Sequence, residues 1–153
     1  MSEPDRPAAE IGFMSEFVHT LDDKGRLTLP ARYRDALAPG VVITRWFDGC
    51  LAIYPIATWA EFARRLGALQ VADAKARQFR RLILSGAVDD VPDSAGRILI
   101  PAFLRDYAQL NGEVVIAGNG PYLEVWNADR WYSQLRAFRD GSIDPQTWAE
   151  FGL

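Results

Sequence analysis

The chain contains itself twice. Residues 22–35 set over residues 93–106 at a constant offset of 71. Asp22, Gly25, Arg26, Pro30, Ala31, Arg34 and Asp35 recur as Asp93, Gly96, Arg97, Pro101, Ala102, Arg105 and Asp106. The residues between Arg and Pro match in hydrophobic character, Leu27-Thr28-Leu29 against Ile98-Leu99-Ile100. With small shifts the match continues: Val41-Val42-Ile43 answers Val114-Val115-Ile116, Leu51-Ala52-Ile53-Tyr54 answers Leu123-Glu124-Val125-Trp126, and Trp59 answers Trp131. Any fold for this chain must place two like units, and a repeat of this kind governs the whole assignment.

Each copy reads in the same order. An alternating stretch such as Phe17-Val18-His19-Thr20-Leu21 comes first, then a turn with Gly and a short strand, 26–29. Pro30 suits the first turn of a helix, where its missing N–H costs nothing, and that helix, roughly 31–38, stops at Pro39-Gly40. Two strands follow, 41–46 and 51–54, around a turn at Asp48-Gly49, and a helix carries Trp59, Phe62 and Leu66 at spacings of three and four. The second copy turns at Asn119-Gly120-Pro121, and Asn127 is placed to cap its last helix. Between the copies, Asp73 can cap a helix with an apolar stripe of Ala76, Phe79, Leu82 and Ile83, with Gly86 as its stop. So few strands per copy cannot bury both faces alone. The expectation is a mainly β, α+β fold in which two pseudo-twofold copies donate strands to a shared, closed barrel with helices outside. The segments are a flexible extension at 1–12, a first repeat at 13–70, a connecting helix at 71–86, a second repeat at 87–138 and a loosely docked tail at 139–153.

Charge first argues against a nucleic-acid partner, because the formal net charge is −3. The total hides a split. Residues 1–81 carry twelve basic and ten acidic residues, whereas residues 82–153 carry five and ten. Basic residues cluster at 24–34 and again at 64–81, and all but Lys24 and Lys75 are arginine. A guanidinium fork suits phosphate oxygens and the guanine edge, but it also pairs with carboxylates in a scaffold.

The strongest candidate site is the repeated turn. Asp22 and Asp93 are expected to accept backbone N–H bonds as turn-structuring residues, with Gly25 and Gly96 supplying the positive φ that a tight turn needs. Lys24 at the tip and Arg26 at the start of the next strand are then free to reach phosphates or a base edge. The alternative is that Arg26 pairs with Asp22 across the turn. Arg97 stands among Asp89, Asp90 and Asp93, so an ion pair and a nucleic-acid contact are both open. Arg32 and Arg34 follow Pro30 and can touch backbone phosphate or pair with Asp35; Arg77, Arg80 and Arg81 can flank the same surface or bridge subunits. Trp59, Trp126 and Trp131 read as core or interface.

Catalysis finds little to work with. One histidine, His19, and one cysteine, Cys50, leave no triad, zinc spacing or disulfide to build. Adjacent carboxylates such as Asp89-Asp90 point to opposite sides of a strand, and no phosphate-cradling glycine loop occurs. The chain is expected to be no enzyme and to need no cofactor or metal. No apolar run of membrane-spanning length and no signal-peptide core occurs.

The paired segments at 21–30 and 93–101 resemble the D-x-x-x-R signatures of the MraZ family. Asp48-Gly49-Cys50-Leu51, Tyr54-Pro55 with Trp59, Ser85-Gly86-Ala87, and Val125-Trp126 with Trp131 resemble the same family, so the likeness runs from about residue 13 to 136. The resemblance implies an AbrB-like, swapped-hairpin double-split β-barrel and a ring-shaped homo-oligomer. It further implies a cytoplasmic, nucleoid-associated transcriptional regulator that binds double-stranded DNA at short direct repeats upstream of the division and cell-wall genes. It implies no membrane and no small-molecule substrate, and it favours DNA contact at Lys24 and Arg26. The alternative is a swapped-hairpin assembly or antitoxin-like protein-binding module. The second signature departs from the first in having Ser94-Ala95 where the first has Asp23-Lys24.

Overall fold

A computed structural model describes residues 11–153; the expected extension at 1–12 lies outside these except for its last two residues. The strands are β1 (Glu16–Thr20), β2 (Arg26–Thr28), β3 (Val41–Arg45), β4 (Leu51–Pro55), β5 (Val88–Asp90), β6 (Arg97–Leu99), β7 (Glu113–Asn119) and β8 (Tyr122–Asn127). The helices are α1 (Arg34–Leu37), α2 (Ile56–Gly67), α3 (Ala74–Gly86), α4 (Ala102–Ala108), α5 (Ala128–Arg139) and α6 (Pro145–Glu150). Short 3₁₀ turns occupy Ala31–Tyr33 and Phe47–Gly49.

The two repeats interleave. One sheet runs β1-β7-β8-β4-β3-β5 and a second pairs β2 with β6. Exchanging each first-repeat strand for its second-repeat counterpart (β1 for β5, β3 for β7, β4 for β8) reverses the sheet order and leaves it unchanged. The register obeys the same pseudo-twofold. Leu27 sits opposite Ile98 at the centre of β2–β6, and Ala52 opposite Glu124 at the centre of β4–β8. Phe17 pairs with Ile116, and the counterpart pair is Val88 with Ile43. Strand exchange is therefore built into every cross-repeat ladder.

The expected single closed sheet is not formed: the described strands make two hydrogen-bonded sheets, with β1 and β5 at the edges of the larger one. The reason lies in β2 and β6, whose ladder is three residues long. Each strand runs within two residues into a proline, Pro30 or Pro101, which has no N–H to extend the pairing. Side-chain packing joins the sheets. Leu27, Leu29, Ile98 and Ile100 face one side of the larger sheet, together with Ile43, Leu51, Ile53, Val114, Ile116, Leu123 and Val125. The alternate residues of the same strands, Ala52, Tyr54, Val115 and Trp126, face the opposite side, where α2, α3 and α5 bring Leu66, Phe62, Trp59, Ile83 and Trp131. Successive side chains on a strand point to opposite faces. Runs such as Leu51-Ala52-Ile53-Tyr54 are thus wholly apolar because both faces are covered.

Local capping follows the sequence. Asp73 caps α3 by accepting from Ala76 N, and Asn127 caps α5 by accepting from Arg130 N. The connecting helix stops at Gly86 as expected, and its apolar stripe keeps Phe79, Leu82 and Ile83 on one face, with Leu82 at the exposed edge. Gly86 is buried, and an added Cβ there would lie 3.0 Å from Arg45 Cγ, so its small size also matters for packing. The tail expected to be loose carries α6, capped by Asp144, which accepts from Thr147 N.

Candidate nucleic-acid interface

The two signature turns have one geometry. Asp22 Oδ1 accepts from Lys24 N at 2.9 Å and Arg26 N at 2.8 Å, and Asp22 Oδ2 accepts from Arg26 Nε at 2.7 Å. Asp93 Oδ1 accepts from Ala95 N at 3.0 Å and Arg97 N at 2.9 Å, and its Oδ2 accepts from Arg97 Nε at 2.9 Å. Gly25 N and Gly96 N close the turns onto Asp22 O and Asp93 O, and both glycines have positive φ, +84° and +76°. Each carboxylate gathers three donors, so each carboxyl group lies below its usual pKa. Arg26 N is the foremost cause for Asp22 and Arg97 N for Asp93.

The turns are also tied to each other. Leu29 N donates to Gly96 O at 2.8 Å, and Ile100 N donates to Gly25 O at 3.0 Å. An arginine from each repeat crosses to the opposite turn. A Cβ at Gly25 would lie 2.5 Å from Arg105 Nη1, and one at Gly96 would lie 2.5 Å from Arg34 Nε. Arg34 Nε also reaches Leu29 O at 3.4 Å. Arg105 is half-buried, and its Nε is the one buried side-chain nitrogen or oxygen without a hydrogen-bond partner among the described residues. Sequence reasoning did not single out Arg105. The signal was present, because the offset of 71 carries Arg34 onto Arg105.

The alternation within β2 and β6 buries Leu27 and Ile98 and turns Arg26, Thr28, Arg97 and Leu99 outward. Arg26 is opposite Leu99, and Arg97 is its diagonal neighbour on the same face, a separation of about 7–8 Å. The pairing of Arg26 with Asp22, one of the two spacing-based alternatives, is formed, and it takes only part of the guanidinium. Its Nε is committed to Asp22, while its terminal nitrogens make no hydrogen bond among the described residues. The carboxylate fixes the guanidinium plane and leaves its outer edge to a ligand, which is the arrangement a bidentate contact to phosphate or guanine requires. Lys24 is exposed at the tip of the first turn. Arg32 is exposed, its guanidinium 5.5 Å from the Tyr33 ring. Neither Arg32 nor Arg34 forms an ion pair with Asp35 among the described residues.

The turns differ in their neighbours. Asp90 does not pair with Arg97; its Oδ2 accepts from Leu99 N at 2.9 Å and its Oδ1 from Val91 N at 2.9 Å. The counterpart of Asp90 in the first repeat is His19, whose pKa is lowered by burial and by the nearby Arg34 charge. Cys50 is buried, and desolvation holds its thiol far above the usual range, so it packs as a small apolar group. Trp126 and Trp46 are buried, and Trp59 and Trp131 pack against the same cluster. Among the described residues no group of three or more His, Cys, Asp and Glu side chains could hold a metal ion, and no helix is long and apolar enough to cross a membrane.

Comparison with known proteins agrees with the repeat. A family model described as "MraZ protein, putative antitoxin-like" matches twice, over residues 13–82 and 83–149. A transcriptional regulator MraZ of Roseiflexus castenholzii is 47% identical over 139 residues, covering 90% of this chain and 97% of the relative. That of Herpetosiphon aurantiacus is 44% identical over 128 residues, covering 84% and 90%. That of Cutibacterium acnes is 42% identical over 132 residues, covering 86% and 93%. These relatives are named as regulators and not as enzymes, in line with the absence of a catalytic constellation in the sequence. On two matches that together span most of its length, the chain belongs to the MraZ family.

Proposed function

We propose that the chain is a sequence-specific, DNA-binding transcriptional regulator that reads short direct repeats upstream of the division and cell-wall genes. The observation that carries this reading is the β2–β6 face. Two arginines stand there, each anchored by a carboxylate through Nε and each offering its outer edge, beside an exposed lysine. The interleaved sheets represent the AbrB-like double-split barrel in this reading. Arg26 and Lys24 enter the groove of double-stranded DNA, Arg97 takes the flanking contact, and Arg32 and Arg34 lie near phosphate. Asp22, Gly25, Asp93 and Gly96 hold the two turns. The protein works in the cytoplasm on the nucleoid and takes no cofactor or small-molecule substrate.

One such face makes few contacts and binds weakly. A ring-shaped homo-oligomer presents several faces to neighbouring repeats at high effective concentration, so affinity belongs to the assembly. Each phosphate neutralised adds about 0.9 to the log–log salt slope. The test is Arg26→Ala in a gel-shift assay on the DNA upstream of the gene. Lost binding with unchanged assembly supports the reading, and binding as tight as wild type overturns it. The family description favours a second reading, an antitoxin-like protein-binding module. It predicts that Arg26→Ala leaves DNA affinity unchanged and abolishes capture of a protein partner.

A further inference from the structure

Along β6, Ile98 and Ile100 are buried, but Leu99 between them turns outward and is 48% exposed. It stands in the middle of the β2–β6 face. The bonds from Leu29 N to Gly96 O and from Ile100 N to Gly25 O mark the hydrogen-bonded positions of this ribbon. Leu27–Ile98 is the next such position. Arg26–Leu99 and Thr28–Arg97 are therefore the non-hydrogen-bonded pairs, whose Cα atoms approach to about 4.5 Å. The N–H groups of Arg26, Leu99 and Arg97 point away from the ladder and donate to carboxylate oxygens of Asp22, Asp90 and Asp93. The backbone beneath each of these side chains is thus fixed before any ligand arrives.

The outer face is a lattice of two rows, Arg26 beside Leu99 and Thr28 beside Arg97. The pseudo-twofold exchanges the rows. It matches the two arginines but sets Leu99 against Thr28, an apolar side chain against a hydroxyl. A two-stranded ribbon fits the major groove of DNA, where an arginine fork matches guanine O6 and N7. The apolar group exposed in that groove is the 5-methyl of thymine. Leucine makes no hydrogen bond to phosphate or to a base edge, so this methyl is what its side chain can recognise. Paired side chains have Cβ atoms about 5 Å apart, enough to reach base pairs one step of about 3.4 Å apart.

We propose that Leu99 is a specificity-determining residue that covers a thymine 5-methyl group on the base pair next to the guanine taken by Arg26. The inference rests on the DNA-binding function proposed for this face and names part of what the face reads. The second row lacks the leucine, and a threonine hydroxyl bonds to more than one base. The two rows therefore read different steps, and the ribbon has one direction along the groove. Direct repeats require such a polarity, whereas a truly twofold face matches a palindrome.

Fluorescence anisotropy at fixed salt tests it with two versions of the DNA upstream of the gene. One is natural, and one has every thymine replaced by deoxyuridine, which pairs alike but lacks the methyl. The full chain is compared with Leu99→Ala, Leu99→Met and Arg26→Ala, and light scattering and circular-dichroism melts check assembly and folding. Wild type is expected to bind the deoxyuridine DNA at least about four-fold more weakly, the contribution of one covered methyl. Leu99→Ala is expected to lose about that factor on natural DNA, and to lose the same factor from its discrimination between the two DNAs. Leu99→Met is expected to keep the discrimination. Wild type that binds both DNAs alike, or Leu99→Ala that discriminates as wild type does, overturns the contact. If Arg26→Ala abolishes binding in the same experiment, the DNA-binding function stands without it. Arg26→Ala that binds as tightly as wild type overturns the function and the contact together. A Leu99→Ala chain that changes mass as it loses DNA places Leu99 between copies and also overturns the contact.

Discussion

The first and second signature turns are geometric copies with different electrostatics. Both use one aspartate to accept two backbone N–H groups and an arginine Nε, with distances agreeing within 0.2 Å. Around that shared frame the first turn has Asp23, Lys24 and His19, and the second has Ser94, Ala95 and Asp90. The frame belongs to the fold, because the pseudo-twofold needs both turns to clasp each other. The charges are not needed for that clasp and are free to diverge. On the proposed reading, a net negative chain can present a basic end to DNA while its other end remains scaffold.

The largest expected effect probes what the turns share. Leu27→Ala and Ile98→Ala each empty one side of the fully buried pair at the centre of β2–β6. Each should cost about 2–5 kcal/mol of stability, and denaturant melts should find the two losses equal within error. Unequal losses would break the symmetry of the frame. Next comes the asymmetry. Arg26→Ala should weaken DNA binding by about 1–3 kcal/mol, and Arg97→Ala by clearly less, read by fluorescence anisotropy at fixed salt. Equal losses would mean that both ends read DNA alike. A smaller change follows from moving the lysine. Lys24→Ala should lower the salt slope of binding by about 0.9, and Ala95→Lys should raise it by a similar amount. An unaltered slope in both would remove Lys24 from the phosphate contacts.

The smallest effect is titration. In the unfolded chain Asp22 and Asp93 take up protons near the ordinary aspartate value of about 3.9. In the folded protein they do so lower, because the turn N–H groups and the arginine favour the carboxylate. The stability they contribute is thus complete above about pH 4 and is lost as pH falls through the folded values. Thermal melts from pH 6 to pH 2 should show this loss, and Asp22→Asn and Asp93→Asn should each flatten it to the same degree. A steeper dependence at one turn would show that the shared frame is not shared.

Much of this was legible in the residues. The constant offset carried the order of strands and helices. The shortage of strands per copy implied exchange between repeats, and Asp-x-x-Gly-Arg carried the turn chemistry down to which group accepts. The rest depends on what lies across the pseudo-twofold. A repeat states which residues are equivalent, not which ones touch. Arg34 looked like a partner for the nearby Asp35, yet it crosses to Gly96, just as Arg105 crosses to Gly25. Asp90 looked like a partner for Arg97 until the register of β5 brought it to Leu99 N. The helical period put Leu82 on the apolar stripe, but only the placement of α3 against β3 decides where that stripe ends.

Interleaving also has a consequence in time. Strand β1 ends at residue 20, and the strand it pairs with begins at residue 113. A ribosome adding about 5–20 residues per second needs roughly 5–20 s to make the intervening stretch. Until then the edges of the first repeat stay unpaired, and a second nascent chain on the same message can offer the missing strands. Translation itself is thus a moment when two copies can exchange halves.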